Sequence, residues 1–315
     1  MLRVLRSPRR EPPSFGPQIP SVTDDGHEPA AGGAPLPRTY LGDAVRRFRR
    51  TPGALVGACI VVTILLAGIF APLLGRYDPL AQDLQLGSSA PSLHHLFGTD
   101  KLGRDVFARM LFGARVSIAI GFVAVGVAIV VGTLVGVVAG FFGGALGSVL
   151  MGGMDVMLAF PSIILAIAIT TVLGPSITNL MLALGIVYVP QYARLARAST
   201  LAVAQLEFVE AARALGTSTL RLLGRHVLPN IAAPLLVQAT LGIATAELEA
   251  AGLSYLGLGA RPPAPEWGAM LNDARDYWLS APWALIFPGL AITLLVLGFN
   301  LLGDGLRDAL DPADR

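Results

Sequence analysis

Few residues in this chain belong to types that do chemistry, and their spacing excludes more than it supports. Lys101 is the single lysine. A phosphate-binding loop needs Gly-x-x-x-x-Gly-Lys-Ser/Thr, but Lys101 is followed by Leu102. Any nucleotide hydrolysis therefore has to come from another chain. His94-His95 is the one histidine pair. Imidazole suits nickel, yet adjacent histidines without further ligands read more simply as loop residues. The lone cysteine, Cys59, lies in an apolar run, so no intrachain disulfide or cysteine metal site is expected. The apolar stretches hold no paired aspartates, no Ser–His pair and no His-Glu-x-x-His. An intramembrane enzyme would need such a constellation, so no catalytic residue is assigned.

The remaining charged candidates are positional. Glu247 and Glu249 fall in a late apolar segment, where a charge is costly and faces a cavity or a partner. Two residues on a helix are about 200° apart, so at most one of them lines a pathway. The other reading for both is a wet outer boundary. Asp155 has Arg194 and Arg197 as candidate partners, against simple snorkelling to the interface. Gly103-Arg104-Asp105 precedes a long apolar run. It reads either as a gate or partner-contact element or as a helix cap and ion pair holding a loop.

The elements that must position these residues are membrane helices. Mean hydropathy is +0.65, and charged residues make up 14% of the chain, against about 25% in soluble domains. Residues 116–150 carry no charge at all, a run longer than the ~20 residues needed to span a hydrocarbon core. Six apolar segments are predicted, near 53–74, 116–142, 149–173, 179–196, 231–256 and 283–302. Helices are expected, because an isolated strand leaves backbone groups unpaired in lipid. Residues 1–40, rich in Pro, Gly and Arg, read as a disordered tail and not as a cleavable signal.

Arginine asymmetry predicts orientation. Arg46, Arg47, Arg49 and Arg50 precede the first segment, and Arg194, Arg197, Arg213, Arg221 and Arg225 flank or fill the fourth connection. Both regions, and both termini, are expected in the cytoplasm. Loop 75–115 is then extracytoplasmic, although its five basic and four acidic residues argue mildly against this. Gly132, Gly136 and Gly140 repeat every four residues, which predicts a close-packing helix face. Pro161 and Pro190 are expected to kink their helices.

One polar segment, 198–228, carries the functional argument. It reads Glu210-Ala211-Ala212-Arg213-Ala214-Leu215-Gly216, then ten residues, then Val227-Leu228-Pro229-Asn230. Two short helices broken at Gly216 are predicted, with Pro229 ending the unit. Taken alone, the segment fits a helix docking into a partner's groove as well as one lying on a membrane surface. It resembles the EAA loop of ABC importer permeases. That resemblance implies a coupling helix seated in a cytoplasmic ATPase, carried here by Glu210, Ala211, Ala212 and Gly216.

Other motifs narrow the resemblance. They are Phe97-Gly98-Thr99-Asp100-Lys101-Leu102-Gly103-Arg104-Asp105, Ala159-Phe160-Pro161-Ser162, Leu253-Ser254-Tyr255-Leu256-Gly257-Leu258-Gly259, and Phe299-Asn300-Leu301-Leu302-Gly303-Asp304-Gly305-Leu306-Arg307-Asp308 with Asp311-Pro312. Together, over residues 41–312, the chain resembles the C-type permease subunit of dipeptide/oligopeptide/nickel ABC importers. The tail is long for that family. Ala250 stands where an acidic residue is expected, with Glu249 beside it.

The resemblance implies an all-α membrane protein of six transmembrane helices, the type I importer permease fold. It is a non-catalytic subunit with no cofactor of its own, ATP and Mg being held by partner ATPase subunits. The implied partners are a homologous permease, two ATPase subunits or domains, an extracytoplasmic substrate-binding protein and membrane lipid. By their position, Gly103, Arg104 and Asp105 are the candidates for a gate or for the contact with that binding protein. No nucleic acid is implied. The expected location is the bacterial inner membrane. The expected cargo is di- or oligopeptide, with nickel or another small solute as the alternative. A stand-alone secondary transporter is the competing class. It would usually show two matching halves and leaves the docking segment unexplained.

Overall fold

The computed structural model describes residues 40–310. The expected tail of residues 1–40 therefore lies outside the described residues except for Tyr40, as does Asp311-Pro312. The described chain is helical, with one isolated bridge between Thr99 and Asp105. Its helices are α1 (Tyr40–Phe48), α2 (Pro52–Ile69), α3 (Ala71–Leu74), α4 (Val106–Phe142), α5 (Gly144–Leu158), α6 (Ser162–Leu173), α7 (Ile177–Ala204), α8 (Glu207–Ala214), α9 (Thr219–Leu222), α10 (Leu228–Tyr255), α11 (Trp267–Ala274) and α12 (Trp283–Leu310).

Among the described residues, four helical stretches are long and apolar enough to cross a membrane: Pro52–Ile69, Val106–Phe142, Thr219–Tyr255 and Trp283–Leu310. The pair α5 and α6 makes a fifth if taken as one broken span, bent by 91°. The expected third segment, 149–173, is thus two helices and not one kinked helix. Pro161 has no N–H to continue the ladder and holds the residue before it out of helical conformation. Helix α7 has 28 residues. It is less apolar than the others because it carries Asn179, Gln191, Arg194 and Arg197. It runs unbroken through Pro190.

Two boundaries differ from expectation for physical reasons. Helix α4 begins at Val106, ten residues before the expected start, so the outer loop is shorter than 75–115. The charges of Arg109 and Arg115 do not keep this turn out of the helix: Arg109 is buried, and Arg115, though exposed, reaches back to backbone carbonyls of the protein. Arg109 donates to the carbonyls of Pro79 and Pro263, and Arg115 to those of Gly68 and Ile69. Pro229 does not end the polar unit. It sits in the first turn of α10, where a missing N–H costs nothing, and a π-helical turn at Leu223–Val227 joins α9 to α10.

The centre of the bundle is α4 against α7, with α10 and α12 alongside. The predicted glycine stripe is the α4 face that meets α7. A Cβ on Gly132 would lie 2.7 Å from the carbonyl oxygen of Val189, and one on Gly140 3.0 Å from that of Arg197. A Cβ on Gly136 would overlap the carbonyl oxygen of Ala193. Backbones can approach this closely only where the stripe has no side chains. Tyr192, whose Cβ meets Gly132, is buried in this seam, and Ile120 and Leu184 are buried on the same two helices.

Candidate functional site

The polar segment forms two short helices, as its sequence predicts. In α8 the acidic Glu207 and Glu210 occupy the first turn and Arg213 the last, each sign complementing the helix dipole. Val209 and Ala212 turn into the core, and the Arg213 guanidinium lies 5.6 Å from the centre of the Phe141 ring at the end of α4. Glu210 and Ala211 face outward. Ala212 faces inward, and its small side chain lets α8 sit close to the bundle.

Gly216 ends α8. Its φ is +77°, its N–H donates to Arg213, and the Thr217 N–H donates to Ala212 at 3.1 Å. This pair of bonds is the Schellman cap, which places a left-handed residue directly after the helix. Sequence reading missed the apolar side of the segment. Phe208, Leu215 and Leu220 are exposed, the last two by more than four-fifths. Their signal was present as leucines flanking the glycine turn. The arrangement is a charged helix with outward apolar side chains, anchored from behind, which suits docking into a groove and holds no reactive group.

The two candidate pathway glutamates separate as helix geometry requires. Glu247 is 1% exposed, and neither of its carboxylate oxygens has a hydrogen-bond partner among the described residues. Glu249 is half-buried on another face of α10. Its carboxylate accepts from Ser162 Oγ at 2.9 Å and from Tyr188 Oη at 2.8 Å. It therefore ties α10 to α7 and to the first residue of α6, directly after the break.

On the other side of the bundle, Gly103, Arg104 and Asp105 are buried. Asp105 caps α4 by accepting from the Ala108 N–H, and its second oxygen lies 2.8 Å from His95 Nδ1. His95 also stacks on Tyr77, while His94 is exposed. Asp100 accepts from the Leu102 and Arg104 N–H groups, and Arg104 bridges Asp100 to Asp273. Trp283 Nε1 donates to Thr99 and Trp267 Nε1 to Met110. Burial and the Asp100 charge push the Tyr277 phenol up to about 12, with Lys101 lying over its ring.

Glu266, unassigned from sequence, is buried and caps α11 through the Gly268 and Ala269 N–H groups. Burial raises its pKa, and those two N–H groups oppose the rise. Hence the cap and ion-pair geometry is what these residues hold. Asp155 pairs with Arg194 at 2.7 Å, both more than half exposed, so the pair contributes about 0–1 kcal/mol. Among the described residues, no group of three His, Cys, Asp or Glu side chains is placed to hold a metal ion.

Long spans, one broken helix and a small anchored helix pair between α7 and α10 fit the architecture of a membrane permease that docks a partner. The chain matches a structure of the MetNI methionine ABC transporter in inward-facing conformation with a TM-score of 0.53, covering 63% of this chain and 94% of that one at 19% identity. The chain belongs to the family of binding-protein-dependent transport system inner membrane components, whose pattern matches residues 132–315. Residues 39–91 match the N-terminal TM domain of oligopeptide transport permease C.

Similar proteins include the dipeptide transport system permease DppC of Alkalihalophilus pseudofirmus, 48% identical over 86% of this chain and 89% of that one. The glutathione transport system permease GsiD of Shigella flexneri is 49% identical over 87% and 91%. The chain is accordingly a non-catalytic inner-membrane subunit of a bacterial ABC importer. It works with a partner ATPase, which hydrolyses the ATP, and with a substrate-binding protein.

Proposed function

We propose that this chain forms half of the translocation pathway of an importer of di- or oligopeptides. A homologous permease supplies the other half, and two ATPase subunits or domains bind ATP and Mg. The observation that carries the cargo is the near full-length similarity to permeases named for dipeptide and for glutathione transport, two cargoes built on peptide bonds. Nickel is the less favoured cargo, because His95 is engaged by Asp105 and Tyr77 and leaves His94 alone.

Alternating access at the permease–permease interface is the mechanism. Glu210, Ala211, Ala212 and Gly216 transmit ATPase closure, supported by the outward face of α8 and its rigid cap. Gly103, Arg104 and Asp105 act as the strut beneath the binding-protein platform, which their burial favours over direct contact. Lipid covers exposed apolar residues such as Leu55, Val62 and Leu66 on α2.

The orientation has six spans with both termini in the cytoplasm, supported by exposed Arg46, Arg49 and Arg50 before α2 and Arg213, Arg221 and Arg225 around α8 and α9. Thiol labelling tests it in a variant whose Cys59 is changed to Ser. Arg261→Cys is expected to react with an impermeant reagent in intact cells and Thr217→Cys only after the cells are opened. Labelling of Thr217→Cys from outside would reverse the orientation.

A further inference from the structure

The break between α5 and α6 sets a physical problem. Tyr188 is the twelfth residue of α7, about 16 Å along the helix at 1.5 Å per residue. Counted from an outer boundary at Ile177, that is about half of a ~30 Å hydrocarbon core. Ser162 and the break lie at the same depth, because Tyr188 and Ser162 share the Glu249 carboxylate. Phe160 and Pro161 in the break are exposed. Irregular backbone at membrane depth is tolerated only where it is covered by protein or lines an aqueous cavity. This surface therefore faces the interface or the pathway and not lipid. One turn along α10 from Glu249, a Cβ on Gly252 would meet nothing within 4 Å, so this surface is open.

Glu249 is the charged group on this surface. Its two hydrogen bonds come from neutral hydroxyls, and it makes no ion pair among the described residues. Arg194, further along α7, is held by Asp155. A carboxylate can accept about four hydrogen bonds, so acceptor positions remain. An uncompensated carboxylate within the membrane that faces an open protein surface attracts a cation, and an ammonium with its three donors fits the free positions. A carboxylate cargo group would be repelled.

We propose that Glu249, positioned by Ser162 and Tyr188 at the break between α5 and α6, receives the ammonium group of the passing cargo. The inference rests on the peptide reading, in which that group is the free amino terminus. Ser162 and Tyr188 are positioning residues that keep the carboxylate aimed past the break. The cargo ammonium replaces no covalent bond. It exchanges water for the carboxylate and leaves when the pathway turns inward.

The test is uptake by the complete complex in liposomes, with binding protein saturated by a labelled dipeptide. Glu249→Gln keeps the shape and still hydrogen-bonds Ser162 and Tyr188, so it removes the charge and spares the brace. Its maximal rate is expected to fall about tenfold, the loss of one charge-assisted hydrogen bond. The concentration of loaded binding protein giving half-maximal rate should stay near wild type, because loading precedes this step. Tyr188→Phe and Ser162→Ala retain the charge and are expected to fall less. Wild-type rates in Glu249→Gln, or losses in Tyr188→Phe and Ser162→Ala as large as its own, would overturn the proposal and leave only a brace. The wild-type rate separately tests the peptide reading. If the complex imports another amine-bearing solute, the same ratio is measured on that solute, and a wild type importing only solutes without an amine overturns both.

Discussion

Gly216→Val is expected to leave the protein in the membrane and to reduce uptake by more than about tenfold. Gly216 sits at φ +77°, and a Cβ there would meet nothing within 4 Å. The damage is therefore conformational and not a clash. A left-handed backbone costs an ordinary residue about 1–2 kcal/mol, and a β-branched one is an outlier there. Valine should pull the backbone out of that region and break the Thr217-to-Ala212 and Gly216-to-Arg213 bonds that end α8. The helix then loses its fixed angle to α9, and the face with Glu210, Phe208 and Leu215 is misdirected. The spans keep their own backbone bonds, so membrane levels should hold. Asparagine tolerates this conformation, and Gly216→Asn is expected to retain most uptake. Glu210→Lys should also lose uptake. It reverses an exposed charge in the first turn of α8, against the helix dipole and against the partner. Uptake and membrane levels measured on the same vesicles check both. Normal uptake by Gly216→Val would show that the turn geometry is irrelevant to coupling.

Gly136→Val is expected to fail one step earlier, at assembly of the bundle. Its Cβ would overlap the Ala193 carbonyl oxygen and lie 2.7 Å from Ala196 Cβ. The obstacle is backbone on the facing helix, which no rotamer can relieve. Overpacking costs about 1–3 kcal/mol and occasionally more, and backbone on the facing helix puts this site at the upper end, a large part of a marginal stability. Detergent-extracted Gly136→Val should be largely aggregated or melt well below wild type. Gly126→Val, on the same helix where a Cβ meets nothing within 4 Å, should behave as wild type. Similar melting of the two variants would mean that the α4–α7 seam does not determine stability.

These two glycines show what was legible in the sequence. The stripe Gly132, Gly136, Gly140 could be read because a four-residue period maps onto one helix face whatever the neighbours are. Gly216 could be read because a chain reversal between two polar helical pieces favours a residue without Cβ. The break at Pro161 was visible as an interruption, but its 91° angle depends on how α6 packs on α7, a contact between distant residues. The start of α4 was misplaced for a similar reason. Arg109 looks like a surface residue until the fold buries it against the carbonyls of Pro79 and Pro263, and Arg115 stays exposed but is held by those of Gly68 and Ile69. Glu247 and Glu249 could be assigned to different faces by counting. Only the structure places Ser162 and Tyr188 on Glu249 and encloses Glu247. Glu266 remained hidden because a cap is defined by the N–H groups that follow it, and a single glutamate before a tryptophan carries no period.

The central claim is that this chain moves cargo only when a separate ATPase drives it. ATP hydrolysis and uptake measured together in the same liposomes test it most directly, with the complete complex in one set and this chain alone under an imposed ion gradient in the other. The complete complex should hydrolyse ATP faster when loaded binding protein is added and should accumulate cargo, whereas the chain alone should do neither. Gradient-driven uptake by the chain alone would make it a secondary transporter and would contradict the account.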